Sequence, residues 1–225
     1  MSKCFLITMY DEFSTVQTSI DLIKKVFKDS MIFVVQSDDS SGRHLTDVNF
    51  FMVLENLSKT IKPTKLAAHA ITRNYNILFK TAYETHQDFE FFVGLTGDTL
   101  VTDPLNFLRL YDKMIVNQKI LCCSQAIGQN FHSVDSDPEN GRCGGRIQYD
   151  GISDFMPQFF MVRGVAATFT RMFSDTKITN EYTSEQCLGD EFMKHVPGNF
   201  KDSAYIISTN AYDYSDGIVY QVRVS

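Results

Sequence analysis

Short apolar runs alternate along this chain with polar segments and stretches of helical periodicity. Cys4 to Met9 is an apolar run of strand length, followed by the polar Tyr10-Asp11-Glu12. From Ser14 onward Val16, Ile20, Ile23 and Phe27 recur at helical spacing, and Ser14 with Gln17 has the spacing of a capping box. Met31 to Val35 is a second buried strand, ended by the polar, Ser- and Asp-rich stretch Gln36 to Gly42. Strand, helix, strand predicts a right-handed connection between parallel neighbours. Thr46 to Leu57 fits a strand or a short helix, and Lys65 to Glu84 reads as a long helix with Arg73-Asn74 near its middle. Phe89 to Val93 is an aromatic-rich strand, broken by Gly94 and Gly97, with Asp98 just past its end. Asp103-Pro104 then opens a helix, Asp as N-cap and Pro in the first helical position.

The second half is less regular. Lys119 to Ser124, Gln158 to Val162, Ala166 to Phe169, Ala204 to Ser208 and Ile218 to Val224 are strand candidates, with a turn signal at Asp216-Gly217. Ala126 to Pro157 is irregular and long enough to suggest a binding loop, a lid or a mobile segment, and its acidity and glycines suit contact with a hydroxylated substrate as well as they suit disorder. Thr183 and Gln186 form a second capping box, opening a helix whose apolar stripe is Leu188, Phe192 and Val196. At about 100° per residue, Glu191 and His195 flank that stripe one turn apart, while Asp190 points further round. They read either as a partly buried ion pair or as a base and a ligand facing a cleft.

Alternation of this kind predicts an α/β domain with a mainly parallel central sheet, whose ligand crevice opens at the carboxyl ends of the strands. Asp38 and Asp98 are both expected at that edge. Carboxylates there hold a divalent cation or a sugar hydroxyl, but Asp and Gly are also ordinary turn residues. A length of 225 residues suits one large domain. A net charge of -6 excludes a global basic field for nucleic acid or anionic membrane. No run has the length of a membrane span. Five cysteines in irregular order point to reduced thiols and a cytoplasmic setting, and Cys122, Cys123, Cys143 and His132 lack zinc-site spacing.

Four of these segments, in this order, resemble the GT-A glycosyltransferases, most closely the small inverting enzymes of family 2. FLITMYDEFSTVQTSI is similar to the family's opening strand, Tyr-Asn-Glu-type loop and first helix; FVVQSDDSSG to its second strand and acidic loop. AITRNYNILFKTAYETHQDFEFFVGLTGDTL resembles the Arg-Asn helix and the strand bearing Asp-x-Asp, and TSEQCLGDEFMKHV the helix with the catalytic acidic pair. Here Thr96-Gly97-Asp98 stands for Asp-x-Asp, and the acidic pair is reversed as Asp190-Glu191.

The resemblance implies a GT-A, Rossmann-type sandwich over residues 1–225, with 1–103 as the nucleotide-binding half and 104–225 as the acceptor-side half. It implies a nucleotide-sugar site at Thr8, Tyr10, Glu12, Asp38, Arg73, Thr96, Gly97 and Asp98. It further implies Glu191 or Asp190 as general base, and Mn²⁺ or Mg²⁺ at Asp98 with help from His195. The donor would be UDP- or GDP-linked, and the acceptor a saccharide, lipid or protein hydroxyl. A sugar-1-phosphate nucleotidylyltransferase shares the fold class but needs a Gly-rich loop after the first strand, and Met9 to Phe13 has no glycine. The other alternative is a GT-A-like domain that binds sugar or nucleotide, or serves as a partner subunit, without turnover.

Overall fold

The computed structural model describes residues 2–37, 43–55, 63–85, 88–126, 159–164, 204–209, 213–214 and 219–221. Its centre is a seven-stranded sheet. Strands β1 (Ser2–Met9), β2 (Met31–Gln36), β3 (Phe50–Val53) and β4 (Phe89–Thr96) are joined by β6 (Leu121–Ala126), β7 (Phe159–Arg163) and β8 (Ala204–Thr209). The order is β3-β2-β1-β4-β7-β6-β8. All strands run parallel except β7, which is antiparallel to both β4 and β6. The α/β, mainly parallel arrangement predicted from the alternation is the observed one, and the ambiguous stretch around Phe50 is a strand parallel to β2.

Helix α1 (Phe13–Val26) and helix α3 (Leu105–Val116) cover one face; helix α2 (Pro63–Thr85) covers the other. Successive strand residues point to opposite faces. Phe5, Ile7 and Met9 therefore pack with Val16, Ile20, Phe107 and Met114, whereas Cys4 and Leu6 pack with Tyr75, Leu78 and Phe79. Both faces being covered is why β1, β2 and β4 read as unbroken apolar runs rather than alternating ones. Burial pushes the Cys4 thiol well above its ordinary range, so it is an inert core group.

Two local readings are corrected. Glu12, not Ser14, is the N-cap of α1, and no side chain caps it. Gln17 is taken up elsewhere: its amide donates to Asp21 Oδ1 at 2.8 Å, and its Oε1 accepts the Thr46 amide at 2.9 Å. Those partners displace the capping box. Gly94 does not break β4 but continues it to Thr96, because its missing Cβ leaves room for a ring from β7. A Cβ on Gly94 would stand 2.2 Å from Phe160 Cζ. The Phe160 ring is fully buried between Tyr75 and Phe79, so it has nowhere to retreat. Gly94→Ala is expected to destabilise the fold by about 1–3 kcal/mol, read as a lowered thermal midpoint.

A third reading is corrected at the start of α3: Pro104, not Asp103, is the N-cap, and Leu105 is the first helical residue, although Asp103 Oδ1 does accept the Leu105 amide at 3.1 Å. The strand candidate Ile218 to Val224 contains β10 (Val219–Gln221), which forms a small antiparallel sheet with β5 (Thr99–Val101) and β9 (Asp213–Tyr214) in the order β5-β10-β9. β5 and β9, of three and two residues, were not foreseen because they are too short to carry a periodicity. Ala166 to Phe169, the 183–196 segment and most of Ala126 to Pro157 lie outside the described residues. No helix among the described residues is long and apolar enough to cross a membrane.

Candidate functional site

From β1 the chain passes through α1 to β2 and β3 on one side, then through α2 to β4 on the other. The switch point of the sheet is therefore the gap between β1 and β4, and the crevice opens where these strands end. Three strand ends meet there. Thr8 of β1 is the register partner of Thr96 of β4, and Ser37 follows β2 with its amide bonded to Met9 O at 2.9 Å. Thr8, Ser37 and Thr96 are all buried hydroxyl residues at the edge of an otherwise apolar sheet.

Helix α2 supplies the groups that order this edge. Asn74 is buried, and its amide nitrogen donates to Thr8 Oγ1 and to Ser37 Oγ, each at 2.7 Å. Its neighbour Arg73 is half-buried and donates to the Glu55 carbonyl at 3.2 Å. Burial holds the Arg73 guanidinium below its ordinary pKa, against the opposing charge of Glu55, and it remains a cation. Tyr75 is fully buried; desolvation first, and the nearby Asp98 charge second, push its phenol well above the usual range. It is thus a neutral hydroxyl beside a carboxylate.

Asp98 itself is half-exposed, one residue beyond a tight approach of chain to chain. Thr96 Oγ1 donates to Asp98 Oδ1 at 2.5 Å and lies 3.0 Å from Thr99 Oγ1. Between them the Gly97 amide donates to Thr8 O at 2.7 Å. A Cβ on Gly97 would stand 2.5 Å from Glu12 Oε2 and 3.1 Å from the Met9 Cα. Glu12 is held in that position because its Oε2 accepts the Tyr10 amide at 2.7 Å. Tyr10 stays about half exposed at the mouth, its carbonyl taking a bond from the Gln36 amide at 3.1 Å. Gly97→Ala is expected to push Glu12 off Tyr10 and to lower the thermal midpoint, which a melting curve reads.

The fold therefore brings together six predicted residues, Thr8, Tyr10, Glu12, Thr96, Gly97 and Asp98, and links Arg73 to Thr8 through Asn74. Asp38, Asp190, Glu191 and His195 lie outside the described residues. Asn74, Tyr75 and Ser37 were not singled out as site residues. The Arg-Asn step in the long helix was the only signal for Asn74, and nothing local marks a buried Tyr as a site neighbour.

The sequence matches no protein-family profile. It also matches no curated protein. Solved structures do match. Glucosyl-3-phosphoglycerate synthase from Mycobacterium tuberculosis, in complex with Mn²⁺, UDP-glucose and phosphoglyceric acid, aligns with a TM-score of 0.51 at 12% identity, covering 92% of this chain and 69% of that one. A mycobacterial protein aligns with a TM-score of 0.51 at 13% identity, over 92% of this chain and 65% of that one. Mouse xyloside xylosyltransferase 1, in its apo form, aligns at 0.45 and 9% identity, over 92% and 85% of the two chains. At such identities the likeness is one of fold, and the fold is of the GT-A type.

Proposed function

We propose that this protein is a glycosyltransferase moving a sugar from a UDP- or GDP-linked donor to an acceptor hydroxyl, with inversion and with help from a divalent cation. The observation that carries this reading is the convergence of Thr8, Tyr10 and Asp98 on the crevice at the β1/β4 switch point, where open α/β sheets bind nucleotides, with Arg73 joined to Thr8 through Asn74. Tyr10 at the mouth offers an aromatic face to a base, and Asp38 is proposed to bind the nucleoside beside it. Arg73, a partly desolvated guanidinium, suits a diphosphate. Residues 1–103 are proposed as the donor half and 104–225 as the acceptor half.

Among the described residues no group of three His, Cys, Asp or Glu side chains clusters as a metal site. One carboxylate with the Thr96 and Thr99 hydroxyls beside it is a hard-oxygen set. It fits Mn²⁺ or Mg²⁺ shared with phosphate oxygens, since Mg²⁺ needs few protein carboxylates. Asp98 would hold the ion, and His195 is proposed as a second ligand. Such an ion supplies positive charge against the departing diphosphate. The acceptor proton passes to a carboxylate within hydrogen-bond reach, assigned to Glu191 with Asp190 as the other candidate.

Incubation with UDP- and GDP-sugars, with Mn²⁺ and with chelator, tests the reading through donor hydrolysis and transfer. Metal-dependent release of UDP or GDP is the expected result. Tight nucleotide binding with no turnover of any donor would instead establish the non-catalytic binding domain. The Thr-Gly-Asp form of the motif favours that second reading, since Thr96 directs a hydroxyl at Asp98 where the family has a second carboxylate.

A further inference from the structure

We propose that Asn74 is a positioning residue, a clamp that fixes the spacing of the β1 and β2 ends and holds Arg73 at the crevice. This rests on the nucleotide-binding reading above for its consequence, but not for its geometry. Asn74 lies on α2, sixty-six residues from Thr8 and thirty-seven from Ser37, yet its one amide nitrogen bonds both hydroxyls at 2.7 Å. Both of its N–H donors are therefore committed, one to each strand end. Its Oδ1 accepts from Arg73 Nε and Nη2, each at a long 3.4 Å. Only a carboxamide offers two donors and an acceptor on so short a stem. Asn74 is 1% exposed, and its two bonds to Thr8 and Ser37 are buried and so lie out of competition with water, whereas those to Arg73 are partly exposed.

What the clamp controls follows from its neighbours. Thr8 O accepts the Gly97 amide at 2.7 Å, and Met9 O accepts the Ser37 amide at 2.9 Å. Releasing Thr8 and Ser37 from Asn74 leaves the β1 and β2 ends held to each other only by their ladder, whose last pair is Met9 and Gln36, and loosens both of those bonds. Arg73 would keep only its contact with the Glu55 carbonyl among these bonds, and so would lose its fixed aim.

The test is amide hydrogen exchange on the full chain, run beside calorimetric titration with UDP and GDP. In Asn74→Ala, exchange at the Ser37 and Gly97 amides is expected to rise by roughly tenfold or more, with the mid-strand Leu6 amide unchanged. Affinity for the preferred nucleotide is expected to fall by roughly tenfold. Ser37→Ala, which removes one arm of the clamp, is the milder variant should Asn74→Ala fail to fold; it is expected to raise exchange at Ser37 while Leu6 stays protected. Exchange that rises uniformly over the sheet, or not at all, overturns the clamp. Selective exchange with unchanged nucleotide affinity overturns the positioning role. If the unmodified protein binds neither UDP nor GDP, it is the proposed function that fails, and the exchange pattern alone decides whether the clamp exists.

Discussion

Replacing Glu191 by Gln is expected to lower sugar transfer by about two to four orders of magnitude, the usual worth of a positioned general base. An amide cannot take the acceptor proton, so the loss belongs in the rate of transfer. Nucleotide affinity should hardly change, because the base addresses the acceptor and not the diphosphate. Asp190→Asn is the comparison. In the helix that the sequence predicts here, Asp190 would lie away from the apolar stripe of Leu188, Phe192 and Val196, so its replacement should cost far less. Single-turnover rates with saturating donor measure the difference. Loss of transfer in Asp190→Asn with an active Glu191→Gln would exchange the two roles. Full activity in both would remove the base from this helix.

Asp98→Asn is expected to erase the metal dependence of nucleotide binding while leaving the fold intact. In the unmodified protein, UDP or GDP should bind roughly tenfold or more tightly with Mn²⁺ than with chelator, and in the variant that ratio should fall to about one. The fold should survive because Asp98 is half-exposed and belongs to no apolar cluster. Asn also keeps an oxygen able to accept the Thr96 hydroxyl, which leaves the turn in place. Titration under both conditions decides it. A variant that retains the full ratio would show that any bound ion is held by other groups.

The local chemistry of the chain was enough to place most elements. β1, β2 and β4 were legible because strands covered on both faces are written as continuous apolar runs. α1 was legible because it buries one stripe, and α3 because Asp103-Pro104 signals a helix start. The candidate residue Asp98 could be named because it stands just past such a strand, where a sheet of this class opens its crevice, whereas Thr8, Tyr10, Glu12 and Thr96 were named from the resemblance, Thr8 and Thr96 lying within β1 and β4 themselves. What failed were the readings in which a side chain had a choice of partners. Gln17 was free to cap its helix and instead bonds Asp21 and Thr46; Gly94 was free to end a strand and instead makes room for Phe160.

Hydrophobic periodicity thus determined the order of strands and helices, and with it the edge at which a ligand would bind. Only the tertiary structure decided which of those ends meet. It inserted β7 antiparallel between β4 and β6, added the sheet of β5, β10 and β9, and set Asn74 of α2 between Thr8 and Ser37. The physical reason is that periodicity reports which face a residue buries, whereas a bond between residues far apart in the chain depends on how whole elements pack.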